Sequence, residues 1–277
     1  MACKVIVNRD SGNCAKLNID ALLTLLDCTG ATVVNVDHST TDWSADECDT
    51  IIVCGGDGTL HVALEKYPDK QLIYAPCGTL NETSHTDDVI TSVGRVNDTL
   101  FSYVCATGSF TEIGYSARTK SKKLFKSIAY LPLVLKYYKS HVIHAQLELD
   151  GKHFEDDYTL IMVLKSHRCF GFNFNSAYKR NKGLYLLAIK SPGKDNLITR
   201  AKMFFPFFRV FFMGANPGIN KDWLLLPFEQ LTVHLDEPQD FCLDGELRRM
   251  EGTLQIHEQP LNKHIPIIKT NNLCCKK

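Results

Sequence analysis

The residues best suited to chemistry lie in four short turns, and the second of these, GGDGT at residues 55–59, raises the clearest question. Glycines allow positive φ and let a backbone approach a ligand closely. The helix predicted after this turn offers N–H groups and the positive end of its dipole, which suit a phosphate. Asp57 places a carboxylate at that position. It either fills the anion site itself or meets a cation or hydroxyl that arrives with a phosphate.

Four apolar, β-branched runs predict strands in the first hundred residues, at 3–8, 31–36, 49–54 and 71–76. Helical patterns separate the first run from the second and the third from the fourth. Strands that are apolar throughout and alternate with helices form parallel sheets with covered faces, so we expect a Rossmann-like unit. Ligands of such sheets bind at the carboxyl ends of the strands. The turns NRDSGN, GGDGT and PCGTLNE all follow predicted strands and are expected there.

The pattern changes after about residue 100. Several strand-like segments, some of them alternating, are separated by glycine or polar turns, which predicts an antiparallel sandwich or barrel. Helical insertions are expected at 121–139 and 197–213. We therefore predict an α/β chain with a Rossmann-like nucleotide-binding domain (1–100), a β-rich domain (101–258) and a C-terminal segment (259–277) that returns to the first domain. The active site is expected in a cleft between the two domains.

The composition excludes some functions. The chain has 277 residues, of which 44% are hydrophobic and 22% charged, and 31 basic residues balance 31 acidic ones. Because the net charge is zero, there is no global attraction to nucleic acid, and anion binding must rest on local clusters. No C-x-x-C pair occurs among the eleven cysteines, so we expect reduced thiols in a cytoplasmic protein. No apolar run reaches the ~18 residues of a membrane span.

The four turns together resemble the diacylglycerol kinase catalytic-domain family, lipid kinases that include the sphingoid base kinases. The family's N-P-x-S-G, G-G-D-G-T, G-T-x-N-D and D-G-E motifs all have counterparts here, in the same order, with Glu82 in place of the third motif's aspartate. The resemblance extends over nearly the whole chain. It implies nucleotide binding by Asn8, Ser11, Gly12, Gly55, Gly56, Asp57, Gly58, Thr59, Gly78, Thr79, Asn81 and Glu82.

The resemblance also implies a reaction that uses ATP and Mg²⁺. The γ-phosphate must be held in line, its charge neutralised by Mg²⁺ and backbone donors, and the attacking hydroxyl oriented. Asp57 is a candidate metal ligand, directly or through water. Thr59 and Thr79 are expected at helix starts, where their hydroxyls either cap the helix or touch phosphate.

The turn at 242–248 (CLDGELR) is expected to carry the catalytic carboxylates. By resemblance, Asp244 is the general base that accepts the lipid hydroxyl's proton, and Glu246 lies beside the metal or orients the base. In a strand or a tight turn, residues two apart face the same side, so both carboxylates could meet the cleft. The alternative is a surface hairpin with two solvated acids.

Two alternatives to a lipid kinase stay open. NAD kinases share GGDGT and the two-domain layout, but the T-P-T-G-S-T-A-like stretch expected of them does not occur. A catalytically degenerate lipid- or nucleotide-binding protein is the other. It is suggested by Asn181 and Lys182, which stand where the family usually carries an acidic pair in a metal–water network.

The segment 197–213 contains six phenylalanines, with Pro206 among them. It is either a buried helix of the second domain or an interfacial element that brings the enzyme to its lipid substrate, with Arg200, Lys202 and Arg209 near headgroups. The expected partners are a lipid at a membrane surface, with peripheral contact at the inner face of the membrane, and a second copy in a homodimer.

Overall fold

The computed structural model describes residues 3–28, 30–36, 43, 48–111, 139–169, 171–270 and 273. The chain forms two compact units. One consists of Met1–Ser92 together with Pro260–Lys277, and the other of Val93–Gln259. The expected helical insertion at 121–139, and a basic cluster at 117–126, lie largely or wholly outside the described residues.

The first unit contains a four-stranded parallel sheet in the order β2-β1-β3-β4. All six residues of β1 and all six of β3 are buried, as expected for central strands covered on both faces. Its elements are β1 (Cys3–Asn8), a 3₁₀ turn (Cys14–Lys16), α1 (Ile19–Leu25), β2 (Thr32–Val36), β3 (Thr50–Gly55), α2 (Asp57–Lys66), β4 (Gln71–Pro76) and a 3₁₀ turn (Thr83–His85). The predicted Rossmann-like unit is confirmed.

The C-terminal segment lies in this first unit. Ile267 forms a parallel bridge with Tyr74 beside β4. The Thr270 hydroxyl donates to the carbonyl of Pro76 at 2.5 Å, at the carboxyl end of that strand. Residues 267 and 270 therefore support the edge strand from which the third glycine turn departs.

The second unit is built on a ten-stranded sheet whose central strands pair in antiparallel fashion. This confirms the β-rich second half. Along the sheet the order is β13-β14-β12-β9-β7-β15-β16-β5-β6, and β8 pairs with β15 and β9. The strands are β5 (Val89–Val96), β6 (Thr99–Phe101), β7 (Val104–Gly108), β8 (Ile143–Leu149), β9 (Lys152–Leu164), β12 (Leu184–Lys190), β13 (Gly218–Ile219), β14 (Trp223–Phe228), β15 (Gln230–Leu243) and β16 (Glu246–Pro266), with a short hairpin of β10 (Arg168–Cys169) and β11 (Phe172–Asn173) and a 3₁₀ turn (Ser176–Lys179) beside them.

Both faces of this sheet are apolar, because alternate residues of its strands enter two different cores. In β9, Ile161 and Val163 belong to one core, whereas Leu160 and Met162 belong to the other. The second core is completed by α3 (Leu197–Phe211), which lies within the predicted helix at 197–213. Asn196 caps α3 by accepting from the N–H groups of Ile198 and Thr199.

Among the described residues, no helix is both long enough and apolar enough to cross a membrane.

Candidate active site

Three of the four turns leave the carboxyl ends of β1, β3 and β4 in the first unit. From β1 the chain moves to β2 on one side and then to β3 and β4 on the other, so the order of the strands reverses between β1 and β3. In open α/β sheets such a reversal opens a crevice at the carboxyl ends, and ligands bind there. The first two turns, after Asn8 and after Gly55, flank that crevice.

The backbones of the three turns are in contact, and glycine makes this contact possible. A Cβ built on Gly12, where φ is +50°, would lie 2.4 Å from the carbonyl carbon of Gly78. A Cβ on Gly78 would lie 2.6 Å from the Cα of Gly56. No side chain fits between atoms this close. The sequence indicated glycines for the approach of a ligand, and here they also serve the approach of one turn to another.

Asp57 joins the second turn to the third. Its Oδ2 accepts from the backbone N–H of Glu82 at 2.8 Å, and its Oδ1 accepts from the N–H of Thr83 at 3.1 Å. The side chain is 7% exposed and belongs to the first turn of α2, where a negative charge is favourable. The carboxylate therefore accepts from backbone donors of the neighbouring turn.

Thr59 and Asn8 connect the first turn to the second. The Asn8 Nδ2 donates to the Thr59 Oγ1 at 3.1 Å, so the side chain at the end of β1 binds this hydroxyl of α2. Thr59 lies in α2 as expected, but the cap residue Gly56 has no side chain to bond. Thr79 does not begin a helix: it lies in a bend before the 3₁₀ turn that starts at Thr83, because the chain must first turn at Asn81.

Two buried oxygens of this site have no hydrogen-bond partner among the described residues: Oδ1 of Asn8 and Oδ1 of Asn81. The other end of the Asn81 carboxamide donates to the carbonyl of Gly78 at 3.1 Å. Asn81 has φ of +49°, a left-handed conformation that asparagine tolerates better than most residues. Because burying an acceptor without a partner is costly, both oxygens suit a bound cation, hydroxyl or amino group.

Cys14 and Cys77 form a disulfide that joins the first turn to the third, with their Cα atoms 4.8 Å apart. The sequence predicted reduced thiols, and for this pair that prediction is wrong in the structure. The N–H of Asn13 also donates to the carbonyl of Cys77 at 2.7 Å. Both cysteines sit one or two residues from a glycine of the motifs, but nothing local in the sequence indicates that the two turns touch.

Asp244 lies in the second unit, in the two-residue turn between β15 and β16. Asp244 and Gly245 both have positive φ, +50° and +98°, as in the tight turns that join antiparallel strands. The hairpin alternative is thus correct for the backbone, but the acid is not solvated: Asp244 is only 4% exposed.

The carboxylate of Asp244 binds the backbone that enters β7. It accepts from the N–H groups of Ser102 at 2.5 Å, Tyr103 at 3.0 Å and Val104 at 3.1 Å. A carboxylate offers about four lone-pair sites, so these three donors use most of them. Burial raises the pKa of the neighbouring Cys105 thiol well above its ordinary value, and the charge of Asp244 adds to that shift.

Glu246 begins β16 and is half-buried. Asp57 belongs to the first unit and Glu246 to the second. No cluster of three or more His, Cys, Asp or Glu side chains that could hold a metal occurs in the part of the chain that the structure describes. Mg²⁺ needs no such cluster, because it is usually bound by one or two carboxylates together with substrate phosphates and water. The carboxylate of Asp57 and the carboxamide oxygens of Asn8 and Asn81 are ligands of the right kind.

Asn181 and Lys182 follow the 3₁₀ turn that ends at Lys179. The Tyr185 hydroxyl donates to the carbonyl of Asn181 at 2.8 Å, so this residue helps to fix the start of β12. The positions that are acidic in the family pattern thus have an uncharged carboxamide and an ammonium group, so neither supplies a carboxylate to a metal.

A parallel sheet at the N-terminus followed by an antiparallel strand-rich unit is the fold found in solved structures of diacylglycerol kinases. Two structures from Bacillus anthracis str. Sterne, a diacylglycerol kinase and a putative diacylglycerol kinase, align over 98% of this chain and 98% of theirs. Their TM-scores are 0.64 and 0.66, at 16% and 17% sequence identity. At that identity the likeness shows the fold.

The family model of the diacylglycerol kinase catalytic domain matches residues 2–92. A diacylglycerol kinase from Bacillus subtilis (strain 168) is 26% identical over 259 residues, covering 83% of this chain and 81% of the relative. The match over residues 2–92 and the similarity to this relative confirm the resemblance to the diacylglycerol kinase catalytic-domain family that the motifs indicated.

Proposed function

We propose that this protein is an ATP- and Mg²⁺-dependent lipid kinase that transfers the γ-phosphate to the hydroxyl of diacylglycerol or a related lipid alcohol. The observation that carries the proposal is the meeting of three glycine turns at the reversal of the parallel sheet, where Gly12 and Gly78 pack backbone against backbone. The family match over residues 2–92 supports a kinase. The lipid acceptor and the use of ATP are our inference.

The first unit would bind the nucleotide. Backbone N–H groups at the start of α2 suit the phosphates, because a helix N-terminus favours negative charge. The orphaned oxygens of Asn8 and Asn81 would accept from hydroxyl or amino groups, or bind the cation. Asp57 would keep the second and third turns at the separation that the phosphates require, through its bonds to Glu82 and Thr83. When bound, Mg²⁺ supplies charge neutralisation at the phosphates.

The second unit would supply the proton acceptor. Asp244 and Glu246 are both candidates for this role, and the contacts of Asp244 favour assigning them different roles. The carboxylate of Asp244 already accepts from three backbone N–H groups, which occupy most of its lone pairs and tie it to the backbone of residues 102–104. We therefore propose Glu246 as the general base and Asp244 as the residue that positions the turn carrying it. The product would be a phosphorylated lipid for phospholipid metabolism, made at the cytoplasmic face of a membrane.

A single assay tests the function. Purified protein, γ-labelled ATP and Mg²⁺ are incubated with mixed micelles of diacylglycerol, a sphingoid base or a monoacylglycerol, and in parallel with NAD. We expect label in the lipid phase and the highest rate with a lipid alcohol. Label in NAD would instead identify the NAD kinase alternative. Binding of ATP without turnover on any acceptor would identify the degenerate alternative that Asn181 and Lys182 suggest.

A further inference from the structure

The helix α3 buries one face and exposes another that is just as apolar. Met203, Phe207 and Val210 are buried in the second core. On the other face, Phe205 is 73% exposed and Phe212 is 66% exposed, with Phe204 and Phe208 at 51% and 41%. The prediction of a buried helix is correct for the first face and wrong for the second. An apolar surface of this kind marks an interaction site in a folded protein.

Three of the exposed rings, those of Phe204, Phe208 and Phe212, form a ridge along the helix. Phe204, Phe208 and Phe212 are spaced four residues apart, which places them one above the other along the helix. The ring centroids of Phe204 and Phe208 lie 5.5 Å apart and those of Phe208 and Phe212 lie 5.4 Å apart, in stacked geometry. Since the rings hold one another in place, little side-chain entropy remains to be lost when the ridge is covered.

The charges around the ridge have one sign. No acidic residue occurs from 197 to 213, whereas Arg200, Lys202 and Arg209 do. At about 100° per residue, Lys202 and Arg209 lie on one flank of the ridge and Arg200 on the other. Arg200 bonds to Asp195 just before the helix, and this hydrogen bond lowers the pKa of that carboxyl to about 2, so the two charges balance. Lys202 and Arg209 leave the helix with a basic flank.

We infer that the exposed face of α3, from Leu197 to Met213, docks on an anionic lipid bilayer, with the phenylalanine ridge in the interface and Lys202 and Arg209 at the headgroups. An apolar stripe beside a basic flank, without acids, is the pattern of helices that lie in the plane of a membrane. Leu197, at 84% exposed, and Met213, at 66%, extend the apolar face to both ends of the helix. The inference rests on the proposed function to the extent that the acceptor lipid resides in that bilayer.

Vesicle co-flotation without ATP tests the docking separately from catalysis. The probes are phosphatidylcholine vesicles with and without phosphatidylglycerol. We expect the wild type to bind the anionic vesicles. In the double variant Phe205→Ser/Phe212→Ser, the partition coefficient is expected to fall about tenfold or more for each phenylalanine removed. Lys202→Glu/Arg209→Glu is expected to lose the preference for anionic over neutral vesicles.

The matched control is Leu25→Ser on α1, since Leu25 is 61% exposed and belongs to the other unit. It should bind vesicles as the wild type does, and Phe205→Leu/Phe212→Leu should keep most of the binding. Thermal unfolding is measured for every variant, because an unchanged midpoint shows that the fold survives. If a double variant unfolds, Phe205→Ser and Phe212→Ser are measured singly.

Three results would overturn the inference. These are no binding of the wild type to anionic vesicles, equal binding of the folded Phe205→Ser/Phe212→Ser protein, or a wild-type dimer in solution that this variant dissociates, which would show that a second copy covers the face. A folded Phe variant that keeps its rate on a short-chain, micellar diacylglycerol separates docking from chemistry. If the wild type binds vesicles but turns over no lipid, the result contradicts the proposed function and leaves the docking inference standing.

Discussion

The second turn of the first unit and the hairpin turn of the second unit use the same device. Each contains an aspartate next to a glycine, and in each the carboxylate is buried and accepts from backbone N–H groups of a distant segment: Glu82 and Thr83 for Asp57, and Ser102, Tyr103 and Val104 for Asp244. In a sequence, an acidic residue in a glycine turn suggests a catalytic or metal-binding group. In both places its described contacts are structural.

The surroundings of the two aspartates differ. Asp57 lies among turns so close that no Cβ fits at Gly12 or Gly78, and two buried carboxamide oxygens nearby have no partner. Asp244 lies in a hairpin turn, and the next acid, Glu246, is more exposed than it is. We propose that the aspartates organise their regions, whereas the chemistry depends on the groups they position. The following experiments test this division.

The largest effect is expected for Glu246→Gln. If Glu246 is the general base, its loss should lower kcat by about 10²–10⁴-fold with little change in thermal stability or ATP affinity, because the base acts on the lipid hydroxyl. The measurement is turnover of lipid at saturating ATP, together with a thermal scan.

Asp244→Asn is the counterpart of that variant. It should lower stability first, since the amide NH₂ that replaces one carboxylate oxygen cannot accept from an N–H group, and the remaining oxygen has lost its negative charge. Any loss of kcat should be partly recovered at low temperature. A folded Asp244→Asn protein with a full catalytic loss, beside a normal Glu246→Gln protein, would return the base to Asp244.

The next effect concerns the contact between turns. Gly12→Ala puts a Cβ 2.4 Å from the carbonyl carbon of Gly78, so the two turns must separate. Displacements of about 1 Å at such a site cost on the order of 10²-fold in rate. We expect a loss of this size in kcat/KM for ATP, and calorimetry should report weaker nucleotide binding.

Gly252→Ala is the matched control for backbone strain. Gly252 also has positive φ, +67°, but a Cβ there meets nothing within 4 Å. A loss of stability that is common to both variants measures the cost of placing alanine at a positive φ. Equal nucleotide affinities in the two variants would show that the contact between turns is not needed for binding.

Like the two aspartates, the disulfide joins segments that are distant in the sequence, and we expect it to stabilise the fold. Closing a loop with a sequence separation of 63 restricts the unfolded chain, and such a bond is worth about 2–4 kcal/mol. Cys14→Ser should lower the free energy of unfolding by that amount, and a reducing agent should do the same to the wild type. Chemical denaturation measures both.

Cys48→Ser controls for the loss of a buried thiol, since Cys48 is buried and free. Peptide mapping without reduction should recover residues 14 and 77 in one cross-linked species. Only unlinked peptides, in protein purified without reductant, would restore the expectation of reduced thiols at this pair.

The smallest effect is expected for Asp57→Asn. Two N–H donors lose a charged acceptor, at a cost of about 1–3 kcal/mol. Asp244→Asn should cost more, because three donors are affected. The difference between their unfolding free energies is the measurement. If Asp57→Asn is as stable as the wild type but no longer requires Mg²⁺ for nucleotide binding, Asp57 acts at the metal rather than at the turn.

The strands of the first unit could be predicted closely from sequence. The expected strands at 3–8 and 71–76 coincide with β1 and β4, and those at 31–36 and 49–54 differ from β2 and β3 by one residue. Local apolar runs fix such elements. The family and the two kinds of sheet followed from these runs and from the four motifs.

The partners of Asp57 and Asp244 could not be predicted in this way. Their donors are backbone N–H groups, which almost every residue carries, so no side-chain pattern marks them. The disulfide was missed for a related reason: Cys14 and Cys77 meet only because two glycine turns do, across a gap of 63 residues. The exposed face of α3 was ambiguous because phenylalanines suit a core and a membrane interface equally.

The bond between Cys14 and Cys77 also makes the region between them a closed covalent ring that contains β2, β3, α2 and β4. A protease that cuts once inside this ring, for example near residue 43, would leave the first and third glycine turns on one molecule. The nicked protein would run as a single band on a gel without reductant and as two bands with it. The backbone within this ring can thus be cut once while the disulfide keeps the two fragments joined.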